Sequence, residues 1–141
     1  MDRLAKLKEL HRQIEDHSYD DDQELHYDLI QEAIGVTDHH STNLVIQSWR
    51  GQDMHAAREF YEAMLPITRQ YSIQTDPTCL KVKVAWWPHG LSGKHEFSAY
   101  AWGDLGQEGL AWLKATVRTR IKAMEAGVDL EVGGKSFRAE A

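Results

Sequence analysis

The sequence predicts an α+β fold in a single domain over residues 1–141: a three-stranded antiparallel meander packed with a long C-terminal helix, an N-terminal helical hairpin, and a small terminal β-hairpin. Three patterns predict it. Leu80, Val82, Val84 and Trp86 alternate with Lys81, Lys83 and Ala85, the two-residue period of a half-buried strand. Leu110, Leu113, Val117, Ile121 and Met124 recur at steps of three and four, so they share one helical stripe. Near the N-terminus two shorter helical stripes follow one another across a short acidic turn.

In chain order, Leu4, Leu7, Leu10 and Ile14 form the first stripe, with Asp2 placed as its N-cap. Asp21-Asp22-Gln23-Glu24 fits a capping box, and Leu25, Leu29, Ile30 and Ala33 form the second stripe, which Gly35 can end. These two helices make the hairpin over residues 1–35. Leu44-Val45-Ile46 is too short a run to decide between strand and helix. Asp53 caps a further helix that turns Ala56, Ala57, Phe60 and Met64 inward, and Pro66 ends it by removing a donor and restricting Leu65.

The core α/β layer then runs over residues 53–126. Tyr71, Ile73 and Thr75 alternate with Ser72 and Gln74, and Asp76-Pro77-Thr78 supplies turn chemistry before the Leu80 strand. From His95 to Trp102, Phe97, Ala99 and Ala101 take one face while Glu96, Ser98, Tyr100 and Trp102 take the other. A meander is the economical topology for three such runs. Lys114, Arg118 and Lys122 form a basic stripe on the polar side of the last helix, and Gly127 is placed for a left-handed C-terminal cap. Beyond it, Val128, Leu130 and Val132 alternate with Asp129 and Glu131 before Gly133-Gly134, a pattern that predicts a hairpin over residues 128–139.

At 141 residues, 42% hydrophobic and 27% charged, the composition is that of an ordinary globular domain. The start Met1-Asp2-Arg3-Leu4 leads into an amphipathic pattern and not into the apolar core of a signal peptide, and no apolar run approaches membrane-spanning length. A cytoplasmic protein is expected. Cys79 is the single cysteine, so no intrachain disulfide can form, and in a strand it is expected as a small buried hydrophobe.

The helix Ala56-Ala57-Arg58-Glu59-Phe60-Tyr61-Glu62-Ala63-Met64-Leu65-Pro66, followed by a strand, a Trp-bearing strand, an Ala- and aromatic-bearing strand and a long helix from Gly103 to Met124, resembles the phage ABA sandwich domain. The resemblance covers roughly residues 53–126. It implies a phage origin, a bacterial host cytoplasm and an α/β layer, and it carries over no catalytic motif.

Residue chemistry argues against an enzyme. Eight histidines are many for this length, yet His11/His17, His39/His40 and His89/His95 lack the i, i+4 spacing of a helical metal pair, and no cysteine pair completes a zinc site. Asp20, Asp21 and Asp22 lack the alternating ligands, glycine and later glutamate of a calcium loop. There is no phosphate-binding glycine loop and no Gly-x-Ser-x-Gly elbow. No metal and no cofactor are expected.

Charge is more informative. From Gln13 to Trp49 the chain holds nine acidic residues and no Lys or Arg, so the remainder carries a net +3 against a total of −6. An acidic surface disfavours duplex DNA and steers toward basic proteins. The leading expectation is therefore a phage accessory protein that docks Asp16, Asp20, Asp21, Asp22, Glu24 and Asp28 on a basic host protein, antagonising a host defence. The alternative is a nucleotide-sequestering binder that uses Lys81, Lys83, Trp102, Lys114 and Arg118, where bases and aromatics are interleaved. Arg120 belongs to the same basic pole. A homodimer is expected through the aromatic face around Trp102 or through the terminal hairpin, the competing cover for that face being the N-terminal helices.

Overall fold

The computed structural model describes residues 2–16, 27–35, 39–49, 53–91 and 95–128. Five helices and three strands follow in the order α1 (Arg3–Asp16), α2 (Tyr27–Ile34), α3 (His39–Trp49), α4 (Met54–Met64), β1 (Thr68–Thr75), β2 (Leu80–Trp87), β3 (Phe97–Gly103) and α5 (Glu108–Glu125). The fold is α+β.

Local chemistry sets the element ends. Asp2 Oδ1 accepts from the Ala5 amide at 2.8 Å and Asp53 Oδ1 from the Ala56 amide at 2.9 Å, the side-chain caps that open α1 and α4. The residues Asp21 to Leu25, expected to open α2, lie outside the described residues. At the end of α5, Val128 N–H bonds to Ala123 O at 2.9 Å and Gly127 N–H to Met124 O at 3.0 Å, with Gly127 at φ 84°. This pair is the Schellman arrangement, which needs a left-handed residue without a Cβ. The hairpin expected from Val128 onward lies, after Val128 itself, outside the described residues.

The sheet is an antiparallel meander in the order β1-β2-β3. Its register sets Ser72, Lys83 and Tyr100 in one row and Gln74, Lys81 and Trp102 in the next. Leu80, Val82, Val84 and Trp86 are buried on the opposite face, as the alternation requires. The β1–β2 turn is held by Asp76, which accepts from the amides of Thr78 and Cys79; these bonds pull its carboxyl down to about 2. Cys79 thus sits in the turn, half-buried, and not inside a strand.

The helix α5 is the hub, packing on β2 and β3 on one side and on α1, α3 and α4 on the others. The single apolar stripe expected for it is too narrow: Ala111, Trp112, Ala115, Thr116, Thr119, Arg120 and Ala123 are buried along with Leu113 and Val117, while Leu110, Ile121 and Met124 are half-buried. A helix enclosed by partners buries small and hydroxylated residues where backbones approach. Arg120, expected on the basic surface, is fully buried; its Nη1 donates to Met64 O at 2.8 Å and its guanidinium lies 5.0 Å from the Trp86 ring. The undecided run Leu44-Val45-Ile46 belongs to α3, whose buried side also carries Ser41, Thr42 and Ser48.

Candidate functional site

Because α5 and the other helices lie on one side, the opposite face of the sheet has no helix packed on it among the described residues. The N-terminal helices, weighed as a cover for that face, pack elsewhere: α1 on α2 and α5, and α2 on α1 and α3. The open face consists of Thr68, Gln70, Ser72 and Gln74 on β1, Lys81, Lys83, Ala85 and Trp87 on β2, and Ser98, Tyr100 and Trp102 on β3.

Two large rings stand on this face in solvent, Tyr100 at 50% and Trp102 at 56% exposure. They meet edge to face with centroids 6.4 Å apart. Lys81 crosses from the neighbouring strand and places its Nζ 4.5 Å from the Tyr100 ring centroid and 5.3 Å from that of Trp102. An ammonium at this distance is attracted by both ring faces, which fixes a flexible side chain without neutralising its charge. Lys83, one register step away, is exposed. Beside these lies a shallow 270 Å³ hollow lined by Gln70, Ser72, Lys83, Trp87 and Glu96 among others.

The alternative set read from the sequence is therefore divided by the structure. Lys81, Lys83 and Trp102 share the open face; Lys114 and Arg118 do not. Arg118 lies in the seam between α1, β3 and α5, where Nη1 donates to Tyr100 O at 2.7 Å, Nε donates to His11 Nε2 at 3.0 Å, and Nη2 pairs with Glu15. Lys114 faces the same Glu15 at 3.7 Å. Lys122 donates to Ser98 O at 2.7 Å. The basic stripe thus binds the edge strand's carbonyls and the end of α1. No spacing within α5 could reveal this, because the acceptors lie on β3 and on a helix some hundred residues earlier.

His11 must accept from Arg118 through Nε2, so its ring is neutral, and burial together with the Arg118 charge holds its pKa below the ordinary imidazole value. Tyr61 is pushed up to about 12, chiefly by burial, inside a cluster with Tyr71 and Trp112 whose centroids are 4.3 to 5.6 Å apart.

The acidic set fares differently. Asp28 is exposed on α2, and Asp16 ends α1, while Asp20, Asp21, Asp22 and Glu24 lie outside the described residues. Two acids of the base-free stretch are already paired, Glu15 as above and Glu32 with Lys6 of α1.

No protein-family model, curated protein or solved structure matches the chain. Among the described residues no group of three or more His, Cys, Asp and Glu is placed to hold a metal ion, and no helix is long and apolar enough to cross a membrane.

Proposed function

We propose that the protein acts by binding and not by catalysis, and that its open sheet face takes a planar anionic ligand, a nucleotide or a short single strand of nucleic acid. The observation that carries this reading is the Lys81 ammonium held between the half-exposed Tyr100 and Trp102 rings. A base stacks on either ring, and the phosphates meet Lys81 and Lys83 on the adjacent strand. Stacking on an aromatic side chain contributes about 1–3 kcal/mol per base and tolerates any base, since each has a π-face. A duplex hides those faces, and the net charge of −6 opposes its dense phosphate array.

Titration of the intrinsic Trp fluorescence with mononucleotides and short oligonucleotides tests the reading. Saturable quenching is expected, weakened about tenfold or more in Trp102→Ala, since 1.4 kcal/mol is a factor of ten. Absence of quenching across the panel, or affinity unchanged in Trp102→Ala, overturns it.

The nine acidic residues without a base from Gln13 to Trp49 favour a second reading, docking on a basic protein through the α1–α2 region, where Asp28 is exposed. In that case capture of the host protein is lost when Asp20, Asp21 and Asp22 become Asn, and capture indifferent to the change rejects it.

A further inference from the structure

We infer that the free edge of β1 pairs antiparallel with β1 of a second copy, joining two meanders into one six-stranded sheet about a two-fold axis at Ser72. The two edges of the sheet are treated differently by the chain. On β3, Arg118 and Lys122 donate to the carbonyls of Tyr100 and Ser98, and α5 packs along the strand. On β1, no described residue outside β2 bonds to the backbone of Thr68–Thr75, and the helices meet the strand through side chains alone, Tyr71 against Tyr61 and Trp112 and Arg69 against Glu62.

An unpaired edge presents a row of amides and carbonyls that recruits another strand unless charges, prolines or bulges guard it. From Gln70 to Thr75 the edge has no charge, no proline and no glycine, and it pairs with β2 in unbroken register. Its side chains are strand formers left partly wet: Tyr71 is exposed and Ile73 half-buried, although both lie on the helix side of the sheet.

The occupant follows from the two ends of the strand. At the start of β1, Ile67 is 64% exposed and adopts φ 84°, a left-handed conformation that β-branched residues rarely hold. Glycine or asparagine would sit there without strain, and the Ile67 side chain recovers nothing by burial within its own chain. Beside it a 430 Å³ hollow is lined by Arg58 and Arg69 with Glu62, Tyr61 and Tyr71. Arg69 pairs with Glu62 at 3.2 Å, while Arg58 has no ion pair among the described residues. At the other end of β1 stand Asp76, whose carboxylate its backbone bonds keep ionised, and Pro77. Self-pairing in antiparallel sense brings the start of one strand to the end of the other.

Register is constrained by the faces. Residues directly opposite in an antiparallel pair point to the same side, so even-numbered positions must meet even-numbered ones. With Ser72 on the axis, Gln70 meets the partner's Gln74 and Tyr71 meets the partner's Ile73. The partner's Pro77 then lies against Ile67, and the partner's Asp76 approaches Arg58 and Arg69. A two-fold pairing is closed, and the guarded β3 edges end the sheet on both sides.

The test uses the full chain in a Cys79→Ser background. Light scattering at micromolar concentration should give about twice the 16.2 kDa chain mass. Ser72→Cys should cross-link to a covalent dimer under mild oxidant, because facing Cα atoms are about 4.5–5.5 Å apart, within disulfide reach. Gln74→Cys, displaced from its own mate by four residues, should not. The double variant Gln70→Lys/Gln74→Lys places like charges opposite each other on exposed positions and should be monomeric with unchanged circular dichroism. A monomeric wild type overturns the inference. So does a dimer that survives the lysine pair and is lost in Trp102→Glu, which moves the contact to the aromatic face.

Discussion

Removing the guard from β3 should change how the molecule associates while leaving it folded. In Arg118→Ala/Lys122→Ala the carbonyls of Tyr100 and Ser98 lose donors at 2.7 Å each, and Glu15 keeps Lys114 at 3.7 Å and the His11 ring at 3.5 Å. A hydrogen bond from a charged donor contributes about 1.5–3 kcal/mol when sheltered. Arg118 is 32% exposed and Lys122 is more so, and solvent screening brings the pair down to roughly 1–2 kcal/mol in total. Against the usual ~5–15 kcal/mol of a domain this leaves the fold intact. The larger consequence is a second bare edge. With β1 already free, each molecule then carries two pairing edges, and closed assembly gives way to open chains. Sedimentation velocity is the assay, with a broad, concentration-dependent distribution heavier than wild type as the expected result. An unchanged mass distribution together with a slightly lowered Tm would refute the guard and leave these side chains a purely local stabilising role.

Three further outcomes follow from the packing. A Cβ on Gly109 would stand 2.9 Å from Asp53 O and 3.1 Å from its carbonyl carbon, backbone atoms that cannot swing away, so Gly109→Ala should lose about 1 kcal/mol in denaturant melts even though alanine favours helix by a similar amount; a stabilised variant contradicts that close approach. Val117→Asp places an unpaired charge at a fully buried position of α5, at about 3–5 kcal/mol plus the lost apolar burial, and a soluble, cooperatively melting variant would reject that burial. His11 binds its proton less readily folded than unfolded, so the unfolded chain holds the excess proton between the two pKa values. Stability should therefore rise with pH up to the ordinary value of 6.5 and level off above it, and His11→Gln should remove that slope; an equal slope in the variant assigns it to another group.

Much of the fold was legible because it is governed by local chemistry. Asp2, Asp53 and Pro66 mark helix ends through donors and acceptors a few residues away, and β2 shows its two faces because one side is buried and the other wet. Where burial is achieved by polar residues the pattern fails. Ser48 returns its hydroxyl to Leu44 O and Thr119 to Ala115 O, so both sit inside helices that a hydropathy reading cannot recognise as enclosed. Arg120 read as part of the basic surface for a different reason, since the acceptor that lets it be buried, Met64 O, is 56 residues away. Within the site, Lys81, Lys83 and Trp102 were readable as one strand-borne group, because register follows from alternation. The part played by Arg118 and Lys114 was not readable, because it depends on where α1 packs. The nine acids from Gln13 to Trp49 read as one free surface, whereas Glu15 and Glu32 are bound to cations from other elements.

The binding face is tested most directly by amide chemical-shift mapping of isotope-labelled protein titrated with a mononucleotide at low salt. The largest shifts are predicted for Lys81 to Lys83 and Ser98 to Trp102, with the Trp102 indole resonance moving in the same titration. Shifts confined to α2 and its neighbouring acidic residues, or no shifts at saturating nucleotide, would contradict it.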